Sequence, residues 1–292
     1  MGDIKASLFY EIPCRLGEGS MWDARRQKLF WVDIEKMELH CIAPGSMVHR
    51  SWKLETRIGT IVPDTKGNLV MGMHGYVARF NPDTGVSETL ITLEGGPDIR
   101  SNDGKCDPAG RLWLGTMHLK ETAHSGNLYC IFADLKIIKK ISGTSISNGI
   151  VWTRDKKKMY WIDTPERAIR EYAYEEATGE ICFVRKAVEV PADLGYPDGM
   201  TIDENDQLWV AHWGGSGVYH WDPVTGELID IVEVPAPNVS SCVFGGPDMR
   251  TLYMTTARNS MEAADMEKYP LSGSVFTAQT SVRGFAPYAF QG

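Results

Sequence analysis

One unit recurs six times along this chain, and that recurrence constrains the fold more than any other feature. Each copy has a polar or small residue, a short apolar stretch, a turn and a second apolar strand. The stretch from Glu18 to Asp23 leads to Leu29-Phe30-Trp31, that from Gly59 to Val62 to Leu69-Val70-Met71, and that from Asn102 to Asp107 to Leu112-Trp113-Leu114. Asn148 to Trp152 leads to Met159-Tyr160-Trp161, Asp198 to Asp203 to Leu208-Trp209-Val210, and Ser241 to Phe244 to Leu252-Tyr253-Met254. The leading positions 18, 59, 102, 148, 198 and 241 are separated by steps of 41, 43, 46, 50 and 43. A third alternating segment follows each pair (Glu38–Ala43, Val77–Asn81, Gly126–Phe132, Ala168–Tyr174, Gly217–Asp222, Ser274–Thr280), and fourth segments such as Glu88–Leu93, Ile181–Val190 and Leu228–Val234 come next. Turns of the type Asp222-Pro223-Val224-Thr225-Gly226 join several third and fourth strands.

Repeats of this length with four short strands each are propeller blades. The expected fold is all-β: one six-bladed β-propeller spanning residues 1–292, four antiparallel strands per blade. The sixth copy lacks a fourth strand, so Ala6–Ile12 is expected to supply it and close the ring. A β-sandwich, or two of them, would not impose six registered copies.

The innermost strand of a propeller blade lines the central channel, so the leading residues Glu18, Gly59, Asn102, Asn148, Asp198 and Ser241 should face one another. With 38 Asp and Glu and eight Asn in 292 residues, six random positions would hold about one of the three types. Four are there. Carboxylates converging in a narrow channel lose hydration and repel, which is costly without a compensating positive charge. Oxygen donors without thiolate or imidazole suit a hard divalent cation. The same residues also make good strand-start turns, as in Asn102-Asp103-Gly104, and the pattern alone leaves both readings open.

Composition narrows the function classes. A net charge of -8 opposes a nucleic-acid surface, which needs clustered Lys and Arg. The one basic run, Lys156 to Lys158, reads as a solvated turn tip. No apolar stretch approaches the ~18–20 residues that span a bilayer. Met1-Gly2 opens the chain, but Ala6 stands where a myristoylation signal has Ser or Thr. Six scattered cysteines without a Cys-x-x-Cys pair, behind an N-terminus lacking a signal-like apolar core, read as reduced residues of a cytoplasmic protein. The expected partner is a small molecule, with neither nucleic acid nor membrane.

The chain resembles the gluconolactonase and senescence marker protein (regucalcin) family of six-bladed propellers. The resemblance rests on Leu16-Gly17-Glu18-Gly19, Arg100-Ser101-Asn102-Asp103-Gly104-Lys105, Ser147-Asn148-Gly149, Pro197-Asp198-Gly199-Met200, Phe244-Gly245-Gly246 and Leu271-Ser272-Gly273, in order at blade spacing. It implies a lactonase that opens the ester ring of a sugar lactone to the aldonic acid. It also implies one divalent cation (Ca²⁺, Mg²⁺, Mn²⁺, Zn²⁺ or Fe²⁺) held by Glu18, Asn148 and Asp198. Such a cation polarises the lactone carbonyl and stabilises the developing oxyanion. By the same resemblance Asn102 contacts substrate or a water beside the cation, Arg100 and Glu121 contact substrate hydroxyls, and Asp198 doubles as the proton acceptor. The loop carrying His118, Leu119 and Lys120 before Glu121 is one residue longer than in the family's animal members.

Other residues invite weaker readings. Trp213 is either a substrate platform or inter-blade packing, His118 a substrate contact or a loop residue, and Asp163-Thr164 a rim element or a turn cap. His74 and His220 read as structural. No Gly-x-Ser-x-Gly, His-Glu-x-x-His or Walker-like motif supports a serine hydrolase, zinc protease or nucleotidase. The competing functions are a metal-dependent esterase or organophosphate hydrolase on the same scaffold, and a non-enzymatic calcium-binding or interaction propeller.

Overall fold

The turns that mark the repeat are built by acidic side chains. After the inner strand, Asp23 accepts hydrogen bonds from the amides of Arg25 and Arg26, Asp64 from those of Lys66 and Asn68, Asp107 from Ala109 and Arg111, and Asp203 from Asn205 and Gln207. Each carboxylate satisfies the amides of a tight reversal and returns the chain as a second strand. In blades three and five the same aspartates also accept the indole N–H of Trp113 and Trp209. The turn is thereby tied to the core aromatic of its own blade.

The computed structural model describes residues 4–292, so Met1-Gly2 lies outside the described residues. It is a six-bladed propeller. The inner strands are Gly17–Asp23, Ile58–Pro63, Ile99–Cys106, Ser147–Trp152, Tyr196–Ile202 and Val239–Gly245. Each begins a four-stranded antiparallel meander running outwards, and the observed third strands lie within a residue or two of the segments read from the sequence. Apolar residues facing between adjacent sheets form the core, with Trp22, Trp31, Trp113 and Trp161 among its largest fully buried side chains.

Every inner strand carries a register shift near its leading residue. A bulge removes a residue from the ladder and re-aims its side chain. Here that re-aiming turns Glu18, Asn102, Asn148 and Asp198 into the channel. The glycines that follow have a packing reason. A Cβ on Gly149 would lie 2.5 Å from the Met200 Cβ, and one on Gly199 would lie 2.8 Å from the Ser240 oxygen. Neighbouring inner strands are too close there for any side chain.

Pairing corrects the sequence reading in blade six. Trp22 pairs with Leu29, Ile202 with Leu208 and Phe244 with Leu252, which makes Ser240, not Ser241, the counterpart of Glu18 and Asp198. Ser240 donates to the Gly17 carbonyl, whereas Ser241 exchanges a hydrogen bond of 2.8 Å with Ser20 lower in the channel.

The ring closes as expected, with additions. Ser7–Tyr10 pairs antiparallel with Val275–Gln279 and forms the fourth strand of blade six. Ile4–Lys5 also pairs, in parallel, with the outer strand Leu228–Glu233 of blade five, so the N-terminal segment ties two blades together. Beyond the last strand, residues 283–291 form a strap. Gly284 bridges to Asp203 of blade five, Phe290 to Asp64 of blade two, and the Gln291 amide donates to Gly110 of blade three. Its Phe285, Ala286, Pro287 and Tyr288 line a cavity of about 190 Å³ at the base of the channel.

Candidate active site

A second, larger cavity of about 450 Å³ lies at the other end of the channel, within the size range of small-molecule sites. Glu18, Arg100, Asn102, Glu121, Asn148 and Asp198 all line it. The structure therefore brings together every site residue expected from the sequence. Gly59 has no side chain to contribute, and Ser241 faces the lower cavity.

A chain of hydrogen bonds fixes the floor across three blades. The Arg100 guanidinium donates to Asn102 Oδ1 at 2.6 Å, and Asn102 Nδ2 donates to Asn148 Oδ1 at 2.9 Å and to the Ser147 carbonyl. Asn148 Nδ2 donates to the Thr164 hydroxyl at 2.7 Å, which donates onward to the Pro197 carbonyl at 2.8 Å. This sequence of donors sets the Asn148 amide with its oxygen toward Asn102 and the channel. The sequence leaves Thr164 as either a rim element or a turn cap; the structure gives it a further task, since its hydroxyl determines which end of Asn148 faces the site. Its neighbour Asp163 instead accepts the Ser145 and Ile146 amides and fixes the turn.

The two carboxylates sit in an unfavourable field. Burial, followed by the charge of Asp103, pushes Glu18 up to about 8, while the Gly19 amide and Arg100 oppose the rise. Burial, then Glu18, then Asp103 drive Asp198 well above the usual carboxylate range, with Arg100 opposing. Asp198 is 6% exposed, and its Oδ1 has no hydrogen-bond partner among the described residues. Deeper still, burial lowers Lys105, whose ammonium donates to the Met200 carbonyl.

Those observations test the fit of a cation. Two buried carboxylates, Glu18 raising Asp198, a free buried carboxylate oxygen and an amide oxygen held toward the channel form an all-oxygen donor set of the type hard divalent ions prefer. A bound dication would supply the positive charge that Arg100 alone provides. Among the described residues no group of three or more His, Cys, Asp and Glu is placed to hold a metal. The fit therefore rests on two acids and one amide, Glu18, Asp198 and Asn148.

The remaining candidates separate cleanly. Glu121 lines the cavity from an exposed loop, in a left-handed conformation with φ of 54°, its amide donating to the His118 carbonyl. His118 itself accepts the Lys120 amide through Nδ1, and so acts as a loop cap. Trp213 lines the cavity. His212 lies behind it, stacked on Tyr219 with ring centroids 3.9 Å apart, and burial lowers it to about 4. His74 bonds the Pro97 carbonyl and His220 stacks on Trp209 beside Asp203, both structural as expected. Lys156 and Lys158 of the basic run pair with Glu176 and Glu171.

A family model described as the SMP-30/Gluconolactonase/LRE-like region matches residues 16–258, the span holding every floor residue. The chain belongs to this family. It is 37% identical over 278 residues, covering 95% of both chains, to a Bacillus subtilis protein named "Putative sugar lactone lactonase YvrE". It is 32% identical to regucalcin of Xenopus laevis, with both chains fully covered. Among solved structures, a luciferin-regenerating enzyme aligns with a TM-score of 0.90 at 32% identity over 98% of this chain and 99% of its own. A calcium-binding protein, regucalcin, of Agrobacterium tumefaciens aligns with a TM-score of 0.94 at 25% identity over the whole of both chains. The family assignment agrees with the resemblance read from the motifs.

Proposed function

We propose that this member of the SMP-30/gluconolactonase family is a metal-dependent lactonase that hydrolyses an aldonolactone to its aldonic acid. The observation that carries the reading is the unpartnered Asp198 carboxylate oxygen at the floor of a cavity whose other floor groups are the Glu18 carboxylate, the Arg100 guanidinium and the amides of Asn102 and Asn148. The Bacillus subtilis relative, named for sugar lactone hydrolysis, supports the same substrate class. Glu18, Asn148 and Asp198 would hold one divalent cation, which when bound supplies Lewis-acid polarisation of the ester carbonyl.

The chain's own residues do the rest. Arg100, 8% exposed and anchored to Asn102 and the Ser101 carbonyl, presents its remaining N–H groups to substrate oxygens. With Glu121 above it, it orients the sugar hydroxyls in a fixed position. Asp198 accepts a proton from the attacking water as the new carbon–oxygen bond forms, and returns it to the ring oxygen as the ester bond breaks. Water, ester and products balance without a further reactant.

A specific observation favours a second reading. Leu16, Ile34, Met117 and Ile146 give the cavity an apolar arc, which an esterase acting on less polar substrates would use. Initial rates on a panel of aldonolactones and simple aryl esters, in chelator and after return of each divalent ion, decide between them. Metal-dependent turnover of aldonolactones supports the proposal; turnover of esters alone would replace it, and full activity in verified metal-free protein would remove the cation. Six unpaired thiols, five of them buried, agree with a reducing compartment. No described helix is long and apolar enough to cross a membrane.

A further inference from the structure

The rim of the cavity at blade five carries an exposed aromatic ring held in place by its neighbours. Tyr196 is 42% exposed and lines the cavity two residues before Asp198. At that exposure more than half of the side chain is covered, and the rest stays open along the cavity. Its conformation is nonetheless firmly built. The Arg167 guanidinium lies under the ring, 3.6 Å from its centroid. That guanidinium donates to the Gly195 carbonyl at 2.6 Å and to the Ala192 carbonyl at 3.2 Å, clamping the loop that delivers Tyr196. Among the described residues Arg167 forms no ion pair, so its charge is left to the ring and the loop. It also takes a left-handed backbone, φ 50°, which is uncommon for an arginine. Gly195 packs so closely on the Trp213 carbonyl that a Cβ would lie 2.6 Å from it. Across the strand pair, Tyr196 stands opposite Trp213, which lines the same cavity.

One face of the ring is therefore covered by a cation and held rigid, while the cavity runs past the rest. A pre-organised aromatic surface beside a polar floor suits a molecule with hydroxyls on its edge and C–H groups on its face. We propose that Tyr196, backed by Arg167 and extended by Trp213, is a stacking shelf for the carbon face of a cyclic aldonolactone, and so determines substrate specificity at this site. Arg167 is a positioning residue. The inference rests on the lactonase reading and adds to it that the lactone ring is held by stacking as well as by its hydroxyls.

The test compares Tyr196→Ala, Tyr196→Phe and Arg167→Met with wild type on a six-carbon aldonolactone, at matched metal content. Aromatic stacking of this type predicts that Tyr196→Ala raises KM by about 3–10-fold with kcat within about twofold. Tyr196→Phe keeps the stacking face and restores KM to near the wild-type value. Arg167→Met raises KM by about 2–3-fold by releasing the ring. An unchanged KM in Tyr196→Ala, a loss confined to kcat, or a failure of Tyr196→Phe to rescue would overturn the shelf. If wild type turned over no lactone, the lactonase reading would fail on its own. The same variants would then be compared by calorimetry for a cyclic polyol of the same ring size, where weaker binding by Tyr196→Ala supports the shelf and equal affinity overturns it.

Discussion

Glu18 gives the site a measurable cost in the absence of a cation. Its folded carboxyl is raised from 4.5 to about 8, chiefly by burial. As pH rises through that window the unfolded chain releases this proton before the folded protein does, so the folded state binds more protons. Stability of the cation-stripped protein must then fall with rising pH, by up to about 1.36 kcal/mol per unit. By pH 7 the loss is at most about 3 kcal/mol, because water reaching Glu18 through the cavity screens part of it. For a chain of this size that is on the order of 5–10 °C in melting temperature. Glu18→Gln retains the side-chain shape and an acceptor for the Gly19 amide but cannot ionise. In chelator, Glu18→Gln should melt above wild type at pH 7–8 and converge with it near pH 4. Adding a divalent ion should raise wild type far more than the variant. Thermal melts across pH, with metal content measured, provide the assay. If stripped wild type is as stable as Glu18→Gln at pH 8, the carboxylates do not strain the fold and the argument for a cation there loses its physical basis.

Three further outcomes are expected. Deleting residues 1–12 removes both Ser7–Tyr10 and Ile4–Lys5, exposing strand edges on blades five and six, and should lower solubility and melting temperature markedly; a truncated chain as stable as the full one would refute the closure. Thr164→Val removes the hydroxyl that fixes the Asn148 amide and should weaken metal affinity by roughly 10–100-fold, measured by competition with a chelating dye, with a smaller effect on the melt of the stripped protein. Arg100→Ala should raise KM for an aldonolactone more than it lowers kcat, whereas equal loss in both would place Arg100 in the chemical step.

What the sequence revealed follows from which physical signals are local. The blades were legible because four of the six inner strands end on an acidic turn, at Asp23, Asp64, Asp107 and Asp203, and such turns need only neighbouring residues. The floor was legible because Glu18, Asn102, Asn148 and Asp198 share one register and a glycine follows three of them, Gly149 and Gly199 where inner strands crowd and Gly19 where φ is +58°. Ser240 was missed because two adjacent serines look alike until the bulge beside Val239 is seen. The strap was missed for a different reason. Its contacts join Gly284 to Asp203 and Phe290 to Asp64, distant in sequence and without periodicity. Tyr196 and Arg167 are likewise brought together by the closure of blade four onto blade five, and no spacing rule announces that pair.

Asp198 serves the proposed reaction as both ligand and proton acceptor, and one variant tests that double role most directly. Asp198→Asn leaves an oxygen for the cation while removing the base, so metal-loaded variant, verified by elemental analysis and melting near wild type, should hydrolyse an aldonolactone about 10²–10⁴-fold more slowly. A loaded Asp198→Asn protein turning over at the wild-type rate would contradict the account, and the base would then have to be sought at Glu18 or Glu121.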